Sequence, residues 1–120
     1  MKKILVTGGS GFIGENLINK LIKNNQLRIF NLDKLSYASN WKSQISKQLG
    51  DLYTLLSVDL INALEVKKVI SQINPDVVIH LASITNAEKS FEIKNLLFKN
   101  NYGIFKNIVK FCIKKKSKLI

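Results

Sequence analysis

At 120 residues, 46% of them apolar, the chain has room for one packed core and no second domain. A net charge of +11 raises nucleic-acid binding, but Arg28 is the lone arginine among 19 basic residues and the lysine cluster Lys114-Lys115-Lys116 with Lys118 has no interleaved aromatic to stack a base, so the charge reads as a solvated face without a nucleic-acid partner. No apolar run approaches the roughly 20 residues of a membrane span, and the stretch after Met1-Lys2-Lys3 is too short for a secretory signal, so no membrane partner and a cytoplasmic location are expected.

The first predicted element is a short buried strand, Lys3-Ile4-Leu5-Val6, which runs into the glycine-rich turn Thr7-Gly8-Gly9-Ser10-Gly11-Phe12-Ile13-Gly14. Helical spacing follows from Glu15 to Asn24. Gly8 lets the backbone leave the strand sharply, Gly11 lets the main chain approach a pyrophosphate, and Gly14 lets the helix pack close to the strand. A phosphate would then rest on the free N–H groups and positive dipole end of the helix. Any glycine-rich surface turn can match this spacing, so its context decides the reading. Asp33 closes the second predicted strand, Leu27 to Leu32, about 20 residues after the turn, where a dinucleotide fold needs a carboxylate for the adenosine ribose. That carboxylate accepts ribose hydroxyls and repels a 2′-phosphate, which favours NAD over NADP. The ATP-binding phosphate loop is excluded, because Gly14 is followed by Glu15 and Asn16 and not by Lys and Ser or Thr.

In the first helix Ile13, Leu17, Ile18, Leu21 and Ile22 mark the apolar face expected to cover the sheet. The segment Lys34 to Asn40 reads as a loop at the adenosine end, Trp41 to Leu49 as a short amphipathic helix, and Leu52 to Val58 as the third strand, with Asp59 at its carboxyl end. Asn62 and Glu65 form a capping-box pattern for the next helix, whose buried side is read as Leu64, Val66, Val69, Ile70 and Ile73 and whose end is set by Pro75. Val77-Val78-Ile79-His80-Leu81 has the continuous apolar character of a parallel strand covered on both faces, and the small residues Ala82 and Ser83 leave room for a ligand at its carboxyl edge. His80 reads as a core histidine, and no metal site is expected. Glu88 to Lys116 has a helical pattern, with Leu97, Asn101, Ile104, Ile108 and Cys112 near one face. Cys112, the single cysteine, reads as a buried thiol. Lys118-Leu119-Ile120 begins a fifth strand. The fold class is therefore α/β, a Rossmann-type doubly wound parallel sheet of about four strands plus the start of a fifth.

The turn Thr7 to Gly14, the stretch Asn31-Leu32-Asp33-Lys34-Leu35-Ser36-Tyr37-Ala38-Ser39-Asn40, Val58-Asp59-Leu60 and Pro75 to Ala82 together resemble the extended short-chain dehydrogenase/reductase family of NAD-dependent nucleotide-sugar epimerases and dehydratases. Within it the Asp33 to Asn40 stretch is most similar to the branch of the dTDP-glucose 4,6-dehydratases. The resemblance implies that Gly8, Gly11, Phe12, Ile13 and Gly14 hold the pyrophosphate of NAD, that Asp33, Lys34, Leu35 and Ser36 surround the adenosine ribose, and that Asp59 and Leu60 lie against the adenine. It implies further that Leu81, Ala82, Ser83 and Asn100 line the nicotinamide half, and that Thr85 contacts the nucleotide-sugar.

The family's catalysis, by the same resemblance, uses a Tyr whose pKa is lowered by a Lys four residues on, while NAD takes a hydride from C4 of the sugar, water is eliminated across C5 and C6, and the hydride returns to C6. Ile84, Asn86, Asn100, Ile104 and Phe105 depart from the dehydratase pattern. The one Tyr–Lys match, Tyr102 with Lys106, falls on the helix before the fifth strand and is not read as the catalytic pair. The expectation is therefore an NAD-binding amino-terminal part of a nucleotide-sugar 4,6-dehydratase, a lyase, truncated or split before its catalytic and sugar-binding parts, inactive alone and dependent on a complementing chain or a homo-oligomer. The alternatives are a non-catalytic dinucleotide-binding module and the remnant of a nucleotide-sugar 4-epimerase.

Overall fold

Strand β1 (Lys2–Thr7) lies at the middle of the molecule because its residues Ile4, Leu5 and Val6 are apolar on both sides, so both faces of the sheet around it must be covered. The computed structural model describes residues 1–35, 50–84 and 91–120, with side chains from 94 onward in the last segment. After β1 come helix α1 (Phe12–Leu21), strand β2 (Leu27–Asp33), a single 3₁₀ turn (Gly50–Leu52) and strand β3 (Tyr53–Ser57). Helix α2 (Ala63–Ile73), strand β4 (Val77–His80), helix α3 (Phe91–Lys115) and strand β5 (Lys118–Leu119) follow. The expected helix over Trp41 to Leu49 lies outside the described residues.

All pairings are parallel, and the strand order is β3-β2-β1-β4-β5. This is the expected doubly wound Rossmann-type sheet, and the chain reverses its direction of winding between β1 and β4. The crevice beyond the carboxyl ends of those two strands is where open α/β sheets take ligands.

Side-chain alternation along the strands divides the core in two. On one face Ile4, Val6, Ile29, Tyr53 and Val77 pack with Ile18 of α1. On the other, Leu5, Phe30, Leu32 and Val78 pack with Val66, Ile70 and Ile73 of α2 and Ile104, Ile108, Phe111 and Cys112 of α3. Cys112 is the expected buried thiol, and burial pushes its pKa up.

Half of the predicted capping box of α2 forms: the Asn62 side chain accepts the N–H of Glu65 at 3.2 Å, but the Asn62 N–H donates to the Asp59 carbonyl at 2.9 Å and not to the Glu65 side chain. The helix ends one residue earlier than Pro75 alone requires, with Asn74 in the left-handed conformation at φ 49°. Two apolar residues are not where periodicity put them. Leu64 and Ile13 are 81% and 68% exposed. Leu64 is two residues, about 200° around the helix, from Val66, and Ile13 stands on the open first turn of α1.

Candidate functional site

The site is built where β1 ends. Gly8 takes φ +70° and turns the chain out of the strand, and its N–H stays on the Leu32 carbonyl at 2.9 Å. A Cβ on Gly8 would come within 2.7 Å of the main chain of Ala82, so this glycine serves the turn and also the close approach of the segment leaving β4. Gly14 is buried for a related reason, with a correction to its expected partner. A Cβ there would meet the Gly8 carbonyl oxygen and Gly9 Cα at 2.5 Å, so at this residue α1 packs on the turn, while Ile18 one turn on packs on the strands. Gly11 differs from both. Its nearest contact for an added Cβ is 3.4 Å away, and its side is open.

Gly11 caps α1 without a side-chain hydrogen bond, and the Glu15 N–H is on its carbonyl at 2.9 Å. The N–H groups of Phe12 and Ile13, at the first two helical positions, precede the first intrahelical bond and have no partner within the helix. Both side chains point outward, with Phe12 85% exposed. The helix end therefore presents uncrowded main-chain donors and a positive dipole end beside the crevice.

Asp33 ends β2 next to this turn. One carboxylate oxygen accepts the Ser10 N–H at 3.0 Å, and the other accepts the Leu35 N–H at 2.9 Å. Lys34 turns away from Asp33 and pairs with Asp59 at 2.9 Å, which holds the Asp59 carboxyl below its ordinary pKa. The structure thus brings Asp33, Lys34, Leu35 and Asp59 to one corner of the sheet edge. Leu60, the next residue, is 6% exposed and packs in the core under α2. Ser36 and Thr85 lie outside the described residues.

On the opposite lip, Leu81 extends the β1–β4 ladder by donating its N–H to the Thr7 carbonyl at 3.0 Å. The Thr7 hydroxyl accepts the Ala82 N–H at 3.4 Å and is 2.6 Å from His80 Nδ1. His80 is half-buried at this lip and belongs to neither core cluster; its ring centroid is 6.1 Å from that of Phe105, and burial lowers its pKa. Ser83 is exposed, and Asn100 is half-buried on α3. Its neighbour Asn101 brackets the chain after β4, accepting the Ile84 N–H at 2.9 Å and donating to the Ile84 carbonyl at 3.1 Å.

Sequence reasoning missed the polar cluster beneath the turn. Asn31 is fully buried in β2 and donates to the Ser10 hydroxyl at 3.2 Å and to the Tyr53 hydroxyl at 3.1 Å. Burial pushes the Tyr53 pKa up to about 12, with the Asn31 bond opposing and Asp33 adding to the rise. An amide inside the otherwise apolar run Ile29 to Leu32 was the one available signal.

This arrangement of strand, glycine turn, helix N-terminus and the carboxylate ending β2 is accompanied by a match of the NAD dependent epimerase/dehydratase family profile to residues 4–120. The chain belongs to that family. Its similarity to dTDP-glucose 4,6-dehydratase of Neisseria meningitidis is 39% identity over 90 residues, 75% of this chain and 25% of the relative. The chain therefore spans about a quarter of the length of the curated relatives it matches. Among solved epimerase/dehydratase structures, UDP-glucose 4-epimerase of Thermus thermophilus in complex with NAD superposes with a TM-score of 0.78 at 26% identity, covering 98% of this chain and 36% of the other. A dTDP-glucose 4,6-dehydratase of Bacillus anthracis in complex with NAD shares the fold at a TM-score of 0.79 and 24% identity, over 99% and 36% of the two chains. Among the described residues no helix is long and apolar enough to cross a membrane.

Proposed function

We propose that these 120 residues form the NAD-binding amino-terminal part of a dTDP-glucose 4,6-dehydratase-like enzyme, and that most of the sugar binding and the proton abstraction belong to residues outside them. The observation that carries the reading is Asp33 beside the open end of α1. Its carboxylate holds two protein N–H groups. A carboxylate has about four lone-pair directions, so two remain for the hydroxyls of an adenosine ribose. A 2′-phosphate would meet the same negative charge.

In this reading Gly8 and Gly14 shape the turn, and Gly11 with the N–H groups of Phe12 and Ile13 receives the pyrophosphate. Asp33, Lys34, Leu35 and Ser36 border the adenosine ribose, and Asp59 with the main chain of Leu60 borders the adenine. Leu81, Ala82, Ser83 and Asn100 border the nicotinamide half, with Thr85 toward the nucleotide-sugar. NAD supplies the hydride acceptor when bound; the chain's own task is to bind and orient it.

Titration calorimetry of the 120-residue chain tests the proposal. NAD is expected to bind more tightly than NADP, and Asp33→Ala to weaken NAD binding about tenfold, the loss of a charge-assisted hydrogen bond worth about 1.4 kcal/mol, while erasing the preference. No NAD binding by the unmutated chain overturns it. With dTDP-glucose and NAD the chain is expected to release no 4-keto sugar. A second reading, a dinucleotide-binding module without catalysis, is supported by the exposed position of Tyr102 and Lys106 on α3, outside the buried cluster beneath the turn. Restoration of 4-keto product by an added carboxy-terminal part of a family dehydratase favours the first reading over the second.

A further inference from the structure

Asn31 is an expensive residue for the place it occupies. It is fully buried on the α1 face of β2, among Val6, Ile29, Ile18 and Tyr53, and its Oδ1 has no hydrogen-bond partner among the described residues. An apolar side chain would remove that orphaned acceptor. The amide lies directly under Gly9, where an added Cβ would collide with the Asn31 amide group and with Ile18 Cδ1. A buried polar side chain that is incompletely bonded calls for a reason other than stability.

The reason lies in what the amide holds. Asn31 Nδ2 donates to Ser10 Oγ, the Ser10 N–H donates to one oxygen of Asp33, and the Leu35 N–H donates to the other. The amide is itself braced from the far side by the Tyr53 hydroxyl at 3.1 Å. Ser10 is thereby fixed from below by its side chain and from the side by its main chain, and the Asp33 carboxylate is held at both oxygens. We propose that Asn31 is a positioning residue for the adenosine ribose: through Ser10 it sets the orientation of the Asp33 carboxylate and so the preference of the site for a dinucleotide with an unmodified ribose. This rests on the NAD-binding reading above. The amide never touches the ligand, and its effect passes through Ser10 to Asp33.

The test compares NAD with its analogue lacking the 2′-hydroxyl of the adenosine ribose, using titration of the full 120-residue chain. Asn31→Leu is expected to weaken NAD binding about tenfold and binding of the deoxy analogue by less than about threefold, because the analogue draws less on Asp33. Adding Asn31→Leu to Asp33→Ala is expected to change NAD affinity by less than about twofold. Ser10→Ala, which removes the hydroxyl and leaves the Asn31 amide its bond to Tyr53, is expected to reproduce the selective loss and carries the test if Asn31→Leu does not fold. Equal losses for the two dinucleotides, or unchanged NAD affinity in folded Asn31→Leu and Ser10→Ala, overturn the inference while NAD binding by the parent chain keeps the functional reading. Failure of the parent chain to bind NAD overturns both.

Discussion

Three glycines form the turn between β1 and α1 and a fourth, Gly14, sits in the first turn of α1, and the structure gives them different tasks. Gly8 combines φ +70° with main chain 2.7 Å from where a Cβ would stand, whereas the nearest atom at Gly11 is 3.4 Å away. Stability and ligand binding should therefore separate. Gly8→Ala is expected to destabilise the fold by about 2 to 4 kcal/mol, from the left-handed backbone and the collision with Ala82. Gly11→Ala is expected to change stability by less than about 0.5 kcal/mol and to act on NAD affinity instead. Urea unfolding and NAD titration of the two variants check this, and equal stability losses would contradict it. The glycine motif was legible in the sequence as a motif, but the roles of Gly9 and Gly14 were not. Gly9 answers to Asn31, 22 residues away, and to Ile18, and Gly14 to the turn it packs on.

At the level of elements, the α2 cap shows what local chemistry can specify. Asn62→Ala removes the acceptor for the Glu65 N–H and is expected to cost about 1 kcal/mol, whereas Leu64→Ser, on an 81% exposed side chain two residues later, is expected to stay within about 0.5 kcal/mol. Thermal unfolding of both variants decides it. Capping was legible because donor and acceptor are three residues apart. The burial of Leu64 was misjudged because an apolar stripe drawn from sequence is wider than the face the sheet covers: Val66, Ile70 and Ile73, spaced four and three apart, fill it, and Leu64 falls on the other side. The same spacing in α3 buries Ile104, Ile108, Phe111 and Cys112, as its periodicity implied for three of them.

For the molecule as a whole, the join between β1 and β4 is the point on which the crevice depends. Thr7 and His80 sit across from each other in register, and the Thr7 hydroxyl links His80 to Ala82. Burial lowers the His80 pKa below its ordinary 6.5, so the unfolded chain takes up a proton at a higher pH than the folded one. The resulting stability is fully present above pH 6.5 and is lost as the pH falls from there through the folded value. The thermal midpoint is expected to fall between pH 7 and pH 5, and His80→Gln to flatten that fall. A midpoint whose slope is unchanged in the variant would show that His80 is not its source.

The sequence by itself determined the order of strands and helices, the parallel α/β class, the glycine turn with Asp33 after β2, and the family. Each rests on periodicity or on residues close along the chain. Only the tertiary structure decided which atoms meet: Ala82 against Gly8, Thr7 against His80 across 73 residues, Asn31 beneath Gly9 and Ser10, and Leu60 turned into the core. Parallel strands have no local turn to set their partners, and their register comes from packing two helical layers against the sheet. A polar residue such as Asn31 acquires its neighbours only when that packing is complete.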